Sequence, residues 1–184
     1  MIRNTLIALA AAFTFAAAAS ADTPTSIPEA GERATVHIYQ KGLALHLAPN
    51  GYHIGKSDSR VDAKSGEPRD PHESWLIVAT GKTDKNGHPT VTIESLNRSV
   101  GAYKYVGIAG AVQDGPKDTS VVGQMEIALS DTPLEWYADE TSSGITLNVA
   151  NAGGYVLEFR SDGNCVLGWD NDTASQLIEV RALD

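Results

Sequence analysis

A short β pattern that occurs three times is the feature that most constrains the fold of this chain. The clearest copy, residues 155–180, reads as strand, turn, strand, loop and strand, with turn residues around Gly163. One copy alone is too small to bury its apolar face, whereas three copies together can share a core. The pattern therefore predicts three quasi-repeats packed around one centre.

The copies match in the order of their apolar, turn and glycine positions. Residues 45–47 of the first copy correspond to residues 157–159 of the third, and Ile54-Gly55-Lys56 corresponds to Leu167-Gly168-Trp169. In the second copy, residues 121–124 take the place of residues 166–169. We expect six residues of these strands to lie in one core: Leu45, Leu47, Val106, Ile108, Leu157 and Phe159.

The N-terminus is typical of a secretory signal peptide. Arg3 precedes an apolar run at residues 6–18, and Ala19-Ser20-Ala21 resembles a cleavage site. The run is shorter than the ~20 apolar residues of a transmembrane helix, so a retained anchor is only the alternative. We expect a signal peptide at 1–21, a mobile leader at 22–34 and a single domain at 35–184, in a secreted protein without membrane insertion.

The acidic composition and the single cysteine exclude some roles. The formal net charge is −9 at pH 7, and an acidic chain is repelled by phosphate backbones and anionic lipids. Nucleic acid is therefore not an expected partner. Cys165 has no second cysteine with which to form an internal disulfide. We expect it to be a buried thiol, with an intermolecular disulfide as the alternative.

The local patterns predict an all-β domain. No stretch after residue 21 combines helical periodicity with caps, whereas about a dozen short apolar segments are separated by turn residues. Three repeats favour a closed barrel, which removes exposed strand edges. Trp75 and Trp136 end the first two copies, and we expect both in the core because tryptophan is highly buried on average.

Three units that each close on an aromatic-bearing strand resemble the β-trefoil, and in particular the ricin-B-type lectin domains. The Q-x-W signature of that family corresponds here to Glu73-Ser74-Trp75, Leu134-Glu135-Trp136 and Gln176-Leu177-Ile178. The resemblance covers roughly residues 35–183. It implies a pseudo-threefold β-trefoil, a secreted non-catalytic carbohydrate-binding function and a glycan or glycoprotein as partner, without a cofactor.

The resemblance also implies that the third unit carries the sugar site. Glu158 stands at the acidic position of the family, Trp169 at the stacking aromatic, and Gln176 beside the amide position. A carboxylate accepts hydrogen bonds from sugar hydroxyls, and an indole covers the apolar face of the ring. Packing of Trp169 against the barrel is the alternative. The expected ligand-binding residues are Glu158, Asp162, Trp169, Asn171 and Gln176.

A secreted β-trefoil protease inhibitor, similar to the fungal trefoil inhibitors, is the alternative function. Such an inhibitor needs one exposed loop on a rigid barrel. The loops at 57–73 and 109–120 are the candidates, and we expect residues 57–73 and 113–120 to be exposed because they are polar and hold Gly and Pro.

An enzyme is not expected, because the sequence has no recognisable nucleophile–base set or phosphate loop. Asp70-Pro71-His72-Glu73 groups acids with an imidazole, but a transition-metal site needs three or four convergent ligands. We therefore expect no metal. We also expect a monomer. Asn97 and Asn171 begin N-glycosylation acceptor triplets, which would be used only in a eukaryotic host.

Overall fold

The computed structural model describes residues 23–24, 27–29, 31–41, 43–47, 54–58, 72–97, 100–108, 125–141, 143–161, 163–171 and 173–183. The predicted signal peptide lies outside these residues. Within them, no helix is long and apolar enough to cross a membrane. The strands are β1 (Thr23–Pro24), β2 (Arg33–Gln40), β3 (Leu43–Leu47), β4 (Ile54–Asp58), β5 (Trp75–Thr83), β6 (Pro89–Ser95), β7 (Tyr105–Ile108), β8 (Ile127–Ser130), β9 (Trp136–Thr141), β10 (Gly144–Val149), β11 (Tyr155–Phe159), β12 (Cys165–Trp169) and β13 (Glu179–Ala182).

Six of these strands close into a barrel. Antiparallel pairing runs from β13 to β2, β5, β6, β9 and β10. A bridge between Ile145 and Ile178 returns the ring to the β13 end, where the Ile178 N–H donates to the Ile145 carbonyl at 2.8 Å. Because each barrel strand has a neighbour on both sides, the barrel leaves few unpaired backbone edges.

Three hairpins are attached to this barrel, one in each unit. The pairs β3–β4, β7–β8 and β11–β12 follow barrel strands β2, β6 and β10, and each hairpin leads into a closing strand, β5, β9 or β13. Bridges from Gly55 to Asn164 and from Glu126 to Val166 join neighbouring hairpins. The expected all-β, pseudo-threefold β-trefoil is therefore confirmed.

One apolar core fills the centre. The six residues predicted for it are all buried in a single cluster, together with Trp75, Trp136 and Cys165. Both tryptophans are fully buried. Cys165 is buried as a thiol, as the sequence predicted. Full burial of large side chains stabilises the fold by roughly 1.5–3 kcal/mol each, so the repeated apolar positions supply the main driving force for closure.

The hairpin registers correct the predicted alignment of the repeats. Leu47 lies opposite Ile54, and Phe159 lies opposite Cys165. Ile54 is therefore equivalent to Cys165 and not to Leu167, as the sequence alignment had it. The segment between β3 and β4 is one residue longer than the segment between β11 and β12, which hides this register in the sequence.

The second unit departs from the same alignment. The strand that pairs with β7 there is β8, at Ile127–Ser130. The segment at residues 121–124, to which that role was assigned, lies outside the described residues.

The N-terminal and loop boundaries also differ from expectation. Two residues of the predicted leader form β1 and pair with β13. Strand β2 begins at Arg33, two residues early, because β5 pairs with it from that residue onward. Strand β4 extends to Asp58, inside the predicted loop at 57–73. At the other end of that loop Glu73 is buried and not exposed as predicted, because it lies close to the fully buried start of β5. Residues 59–71 of that loop, and the whole predicted loop at 109–120, lie outside the described residues, so their exposure stays a prediction.

Candidate functional site

The two faces of hairpin β11–β12 carry different side chains. Leu157 pairs with Leu167 and Phe159 with Cys165, and these four side chains point into the barrel core. Because side chains alternate along a strand, Glu158 and Gly168 lie on the other face. The third-unit site is therefore built on the face of the hairpin that turns away from the core.

Glu158 covers Gly168 on this outer face. A Cβ atom added at Gly168 would overlap the Glu158 carboxylate and would lie 3.2 Å from Gln176 Nε2. The absence of a side chain at Gly168 is what allows the carboxylate to lie across the neighbouring strand. Val166, the direct partner of Glu158, and Gly168 are the β12 positions that share this face with Glu158, whereas Trp169 does not.

Gln176 contacts the same region from the buried side. Its side chain is fully buried, and its Nε2 donates to the Trp169 carbonyl and lies 3.4 Å from Glu158 Oε2. Its Oε1 accepts the Asn171 N–H at 3.2 Å. Gln176 therefore positions the loop after β12 and one oxygen of Glu158, and its amide does not reach solvent.

A cleft of about 480 Å³ opens beside Glu158. That volume falls within the range of small-molecule sites. Its lining consists of Glu158, Phe159, Arg160, Ser161 and Ser175. The side chains of these residues include a carboxylate, a guanidinium and two hydroxyl groups. Such a set can both accept and donate hydrogen bonds to a ligand rich in hydroxyl groups.

Arg160, Ser161 and Ser175 were not identified as site residues from the sequence. Arg160 and Ser161 follow Glu158 directly and begin the turn, in which the Arg160 N–H donates to the Asn164 carbonyl at 2.9 Å. Ser175 is brought to the same place by its carbonyl, which accepts the Phe159 N–H at 2.9 Å. Adjacency to Glu158 was the available signal for the first two, whereas Ser175 depends on a contact between distant segments.

Trp169 lies on the opposite face of the hairpin from Glu158. Its ring packs on Tyr155, with centroids 4.8 Å apart and planes tilted by 35°, and Gly154 lies against its edge. The side chain is 44% exposed. The structure therefore does not bring the predicted acid and the predicted platform into one pocket. Successive residues of a strand point to opposite faces. Trp169 directly follows Gly168 and therefore lies on the face opposite Glu158.

The other predicted residues fall at different depths. Asp162 lies outside the described residues. Asn171 is exposed, and only its backbone N–H is bound by Gln176. Asn97, the other predicted glycosylation acceptor, is buried.

Equivalent positions in the first two units carry different chemistry. The Leu47 N–H donates to the His72 carbonyl at 2.7 Å, as the Phe159 N–H does to that of Ser175. His46 and His72 thus take the places of Glu158 and Ser175, and their rings stack at 5.9 Å. In the second unit the place of Glu158 is taken by Gly107, which has no side chain. Only the third unit has a carboxylate at this position.

Comparisons with known proteins support the fold. No family model matches the chain, and no curated protein matches it in sequence. The agglutinin of Rhizoctonia solani has a similar structure, with a TM-score of 0.60 and 17% identity over 84% of this chain and 99% of the agglutinin. At these identities the likeness is one of fold, and it is the fold expected from the resemblance to β-trefoil lectins.

Two larger proteins also match in part. A GlcNAcα1-4Gal-releasing endo-β-galactosidase of Clostridium perfringens gives a TM-score of 0.55 at 12% identity, over 82% of this chain and 33% of the enzyme. A lectin of Polyporus squamosus gives 0.49 at 18% identity, over 80% of this chain and 48% of the lectin. The chain therefore spans a third and about half of these two proteins.

Proposed function

We propose that this protein is a secreted, monomeric, non-catalytic carbohydrate-binding protein of the lectin type. The observation that carries the proposal is the Glu158 cleft, in which a carboxylate is fixed by buried Gln176 on the surface of a β-trefoil. Arg160 and Ser175 add donors and acceptors around it. The likeness of the fold to an agglutinin supports the same class of function.

The chemistry of the cleft supports binding more than hydrolysis. Glycoside hydrolases use a pair of carboxylates on the two sides of the scissile bond. Among the described residues that line the cleft, Glu158 is the only carboxylate. One carboxylate can accept hydrogen bonds from neighbouring hydroxyl groups of a sugar, with each charge-assisted bond contributing about 1.5–3 kcal/mol.

A glycan array tests the proposal directly. The chain from Asp22 onward is probed beside Glu158→Gln, which keeps the shape of the side chain and removes its charge. Glu140→Gln, at an exposed carboxylate on β9, is the matched control. We expect binding of the wild-type protein and of the control, and binding roughly 10- to 100-fold weaker for Glu158→Gln.

Two outcomes would overturn the proposal. One is a wild-type protein that binds no glycan on the array, and the other is unchanged binding by Glu158→Gln. A protease panel run with the same samples gives the competing result, because inhibition without glycan binding would favour the trefoil-inhibitor function.

A further inference from the structure

Two aromatic pairs lie on either side of the turn between β10 and β11. On one side His88 stacks on Tyr137, with centroids 4.4 Å apart and planes within 11° of parallel. On the other side Trp169 packs on Tyr155. Each pair presents one well-exposed ring, since the His88 side chain is 46% exposed and Trp169 is 44% exposed.

The turn at residues 150–154 holds both pairs in place. Asn151 adopts a positive φ of 64°, and its Oδ1 accepts the Lys85 N–H at 2.9 Å, which ties the β5–β6 hairpin to the turn. Gly154, with a φ of 76°, lies against the Trp169 ring, and its carbonyl accepts the Asp170 N–H at 2.9 Å. One short segment therefore fixes the spacing of the two aromatic pairs.

Asp84 fixes the orientation of His88. Its buried carboxylate accepts the backbone N–H groups of Asn86 and His88 and lies 3.1 Å from the His88 ring nitrogen. Burial opposes ionisation of Asp84, but the hydrogen bonds from His88 and Asn86 outweigh it and lower the pKa of the carboxyl group. The imidazole is thus held over Tyr137 by an ionised group that solvent barely reaches.

Several carboxylates lie near the Tyr137 phenol. Burial raises the pKa of the Tyr137 phenol, and the carboxylates of Asp84, Asp170 and Asp139 raise it further. Asp170 directly follows Trp169, and its carboxylate is near enough to the Tyr137 phenol to raise the pKa of that group. Exposed rings with an adjacent carboxylate offer both an apolar platform and a hydrogen-bond acceptor.

We propose that this aromatic surface, defined by His88, Tyr137, Asn151, Trp169 and Asp170, is a second saccharide-binding site. It is separate from the Glu158 cleft, because Trp169 lies on the other face of hairpin β11–β12, and it rests on the proposed function only for the class of ligand. The indole covers the apolar face of one sugar ring, and Asp170 accepts hydrogen bonds from its hydroxyl groups. The surrounding carboxylates select neutral sugars over acidic ones such as sialylated glycans.

Acrylamide quenching of tryptophan fluorescence reports on this site selectively. Of the three tryptophans, Trp75 and Trp136 are fully buried, so the quencher reaches Trp169. The probes are chitotetraose, cellotetraose and N-acetyllactosamine, with sialylated N-acetyllactosamine as the acidic comparison. We expect at least one neutral probe to protect Trp169 from quenching in the wild-type protein and in Glu158→Gln, with weaker protection by the acidic probe.

Substitutions at Trp169 complete the test. Trp169→Phe keeps a ring on Tyr155, and we expect it to bind roughly 2- to 10-fold more weakly than wild type, as measured by calorimetry, with a larger loss for Trp169→Ala. The emission of Trp75 and Trp136 shows whether each variant is folded. The proposal is overturned if no neutral probe protects Trp169, or if Glu158→Gln abolishes the protection. Loss of array binding in Glu158→Gln alone would support the cleft and not this surface.

Discussion

The closing strands of the first two units and that of the third unit use equivalent positions for different purposes. Trp75 and Trp136 are fully buried, and their indole N–H groups donate to the carbonyls of Leu45 at 2.9 Å and Val106 at 3.2 Å. In the third unit Ile178 fills that position in the core without a donor. There the buried side-chain hydrogen bonds are donated by Gln176, two residues earlier.

The same repeat pattern therefore has two structural roles in this protein. At the position of Gln176 the second unit has Leu134, an apolar core residue, and the first unit has Glu73, whose side chain is also buried. The first two units therefore use their signature to anchor a hairpin to the barrel. The third unit uses it to shape the surface at which we propose that a saccharide binds.

The largest expected effect breaks the anchoring side of this comparison. Trp136→Ala removes a fully buried indole and leaves the Val106 carbonyl without its donor, so we expect the free energy of unfolding to fall by about 3–5 kcal/mol. The matched control is Trp169→Ala, the same change at an exposed ring, for which we expect about 1 kcal/mol or less. Urea denaturation followed by circular dichroism measures both, and equal losses would contradict the division of tasks.

The next effect tests the site-shaping side. Gln176→Met keeps length and volume but leaves the Trp169 carbonyl and the Asn171 N–H without their partner. We expect a loss of about 1–3 kcal/mol in unfolding free energy, faster hydrogen exchange of the Asn171 amide, and weaker glycan binding. Leu134→Met, at the equivalent position of the second unit, is the control. If Leu134→Met weakened glycan binding as much as Gln176→Met does, the binding surface would not depend specifically on the third unit.

A smaller effect concerns the space at Gly168 that the Glu158 carboxylate occupies. Gly168→Ala places a Cβ atom where the Glu158 carboxylate lies, so the carboxylate must move, at a cost of about 1–3 kcal/mol for overpacking. Gly153→Ala is the control, because a Cβ atom there meets nothing within 4 Å. Glycan binding should fall only in Gly168→Ala. Adding Glu158→Ala to Gly168→Ala should restore part of the stability but not binding, because contacts of 3.2 Å with Gln176 Nε2 and with the Cβ of residue 158 remain. No gain in stability would place the clash elsewhere.

The sequence was sufficient for the fold because the repeated apolar positions specify the core. Leu45, Val106 and Leu157 lie together as expected, and Trp75 and Trp136 are buried. The face on which Trp169 lies could not be read in the same way. It depends on the register of β12 against β11, and a period of two makes a slip of one residue invisible in an apolar run.

The remaining parts of the site depend on contacts between distant segments. Ser175 reaches the cleft through Phe159, and Tyr137 on β9 meets His88 from the loop before β6. No local pattern encodes such pairings. Arg160 and Ser161 were within reach of sequence reasoning, since they follow Glu158 directly, but Asp162 was the residue after Glu158 that was predicted as a site residue.

The smallest expected effect concerns the connection between the first two units, where Asp84 accepts hydrogen bonds from the loop before β6. Its pKa in the folded protein is lowered from the ordinary value of 3.8, so its ionised form contributes stability above pH 3.8 that is lost as the pH falls through the lowered value. Asp84→Asn keeps the shape and removes the charge. We expect a loss of about 1 kcal/mol in unfolding free energy at pH 7, which shrinks as both proteins are acidified below pH 3.8.

Urea denaturation at a series of pH values measures the difference between the wild-type protein and Asp84→Asn, with Asp139→Asn, at an exposed carboxylate, as the control. A difference that stays constant down to pH 2 would mean that the charge of Asp84 does not stabilise this connection.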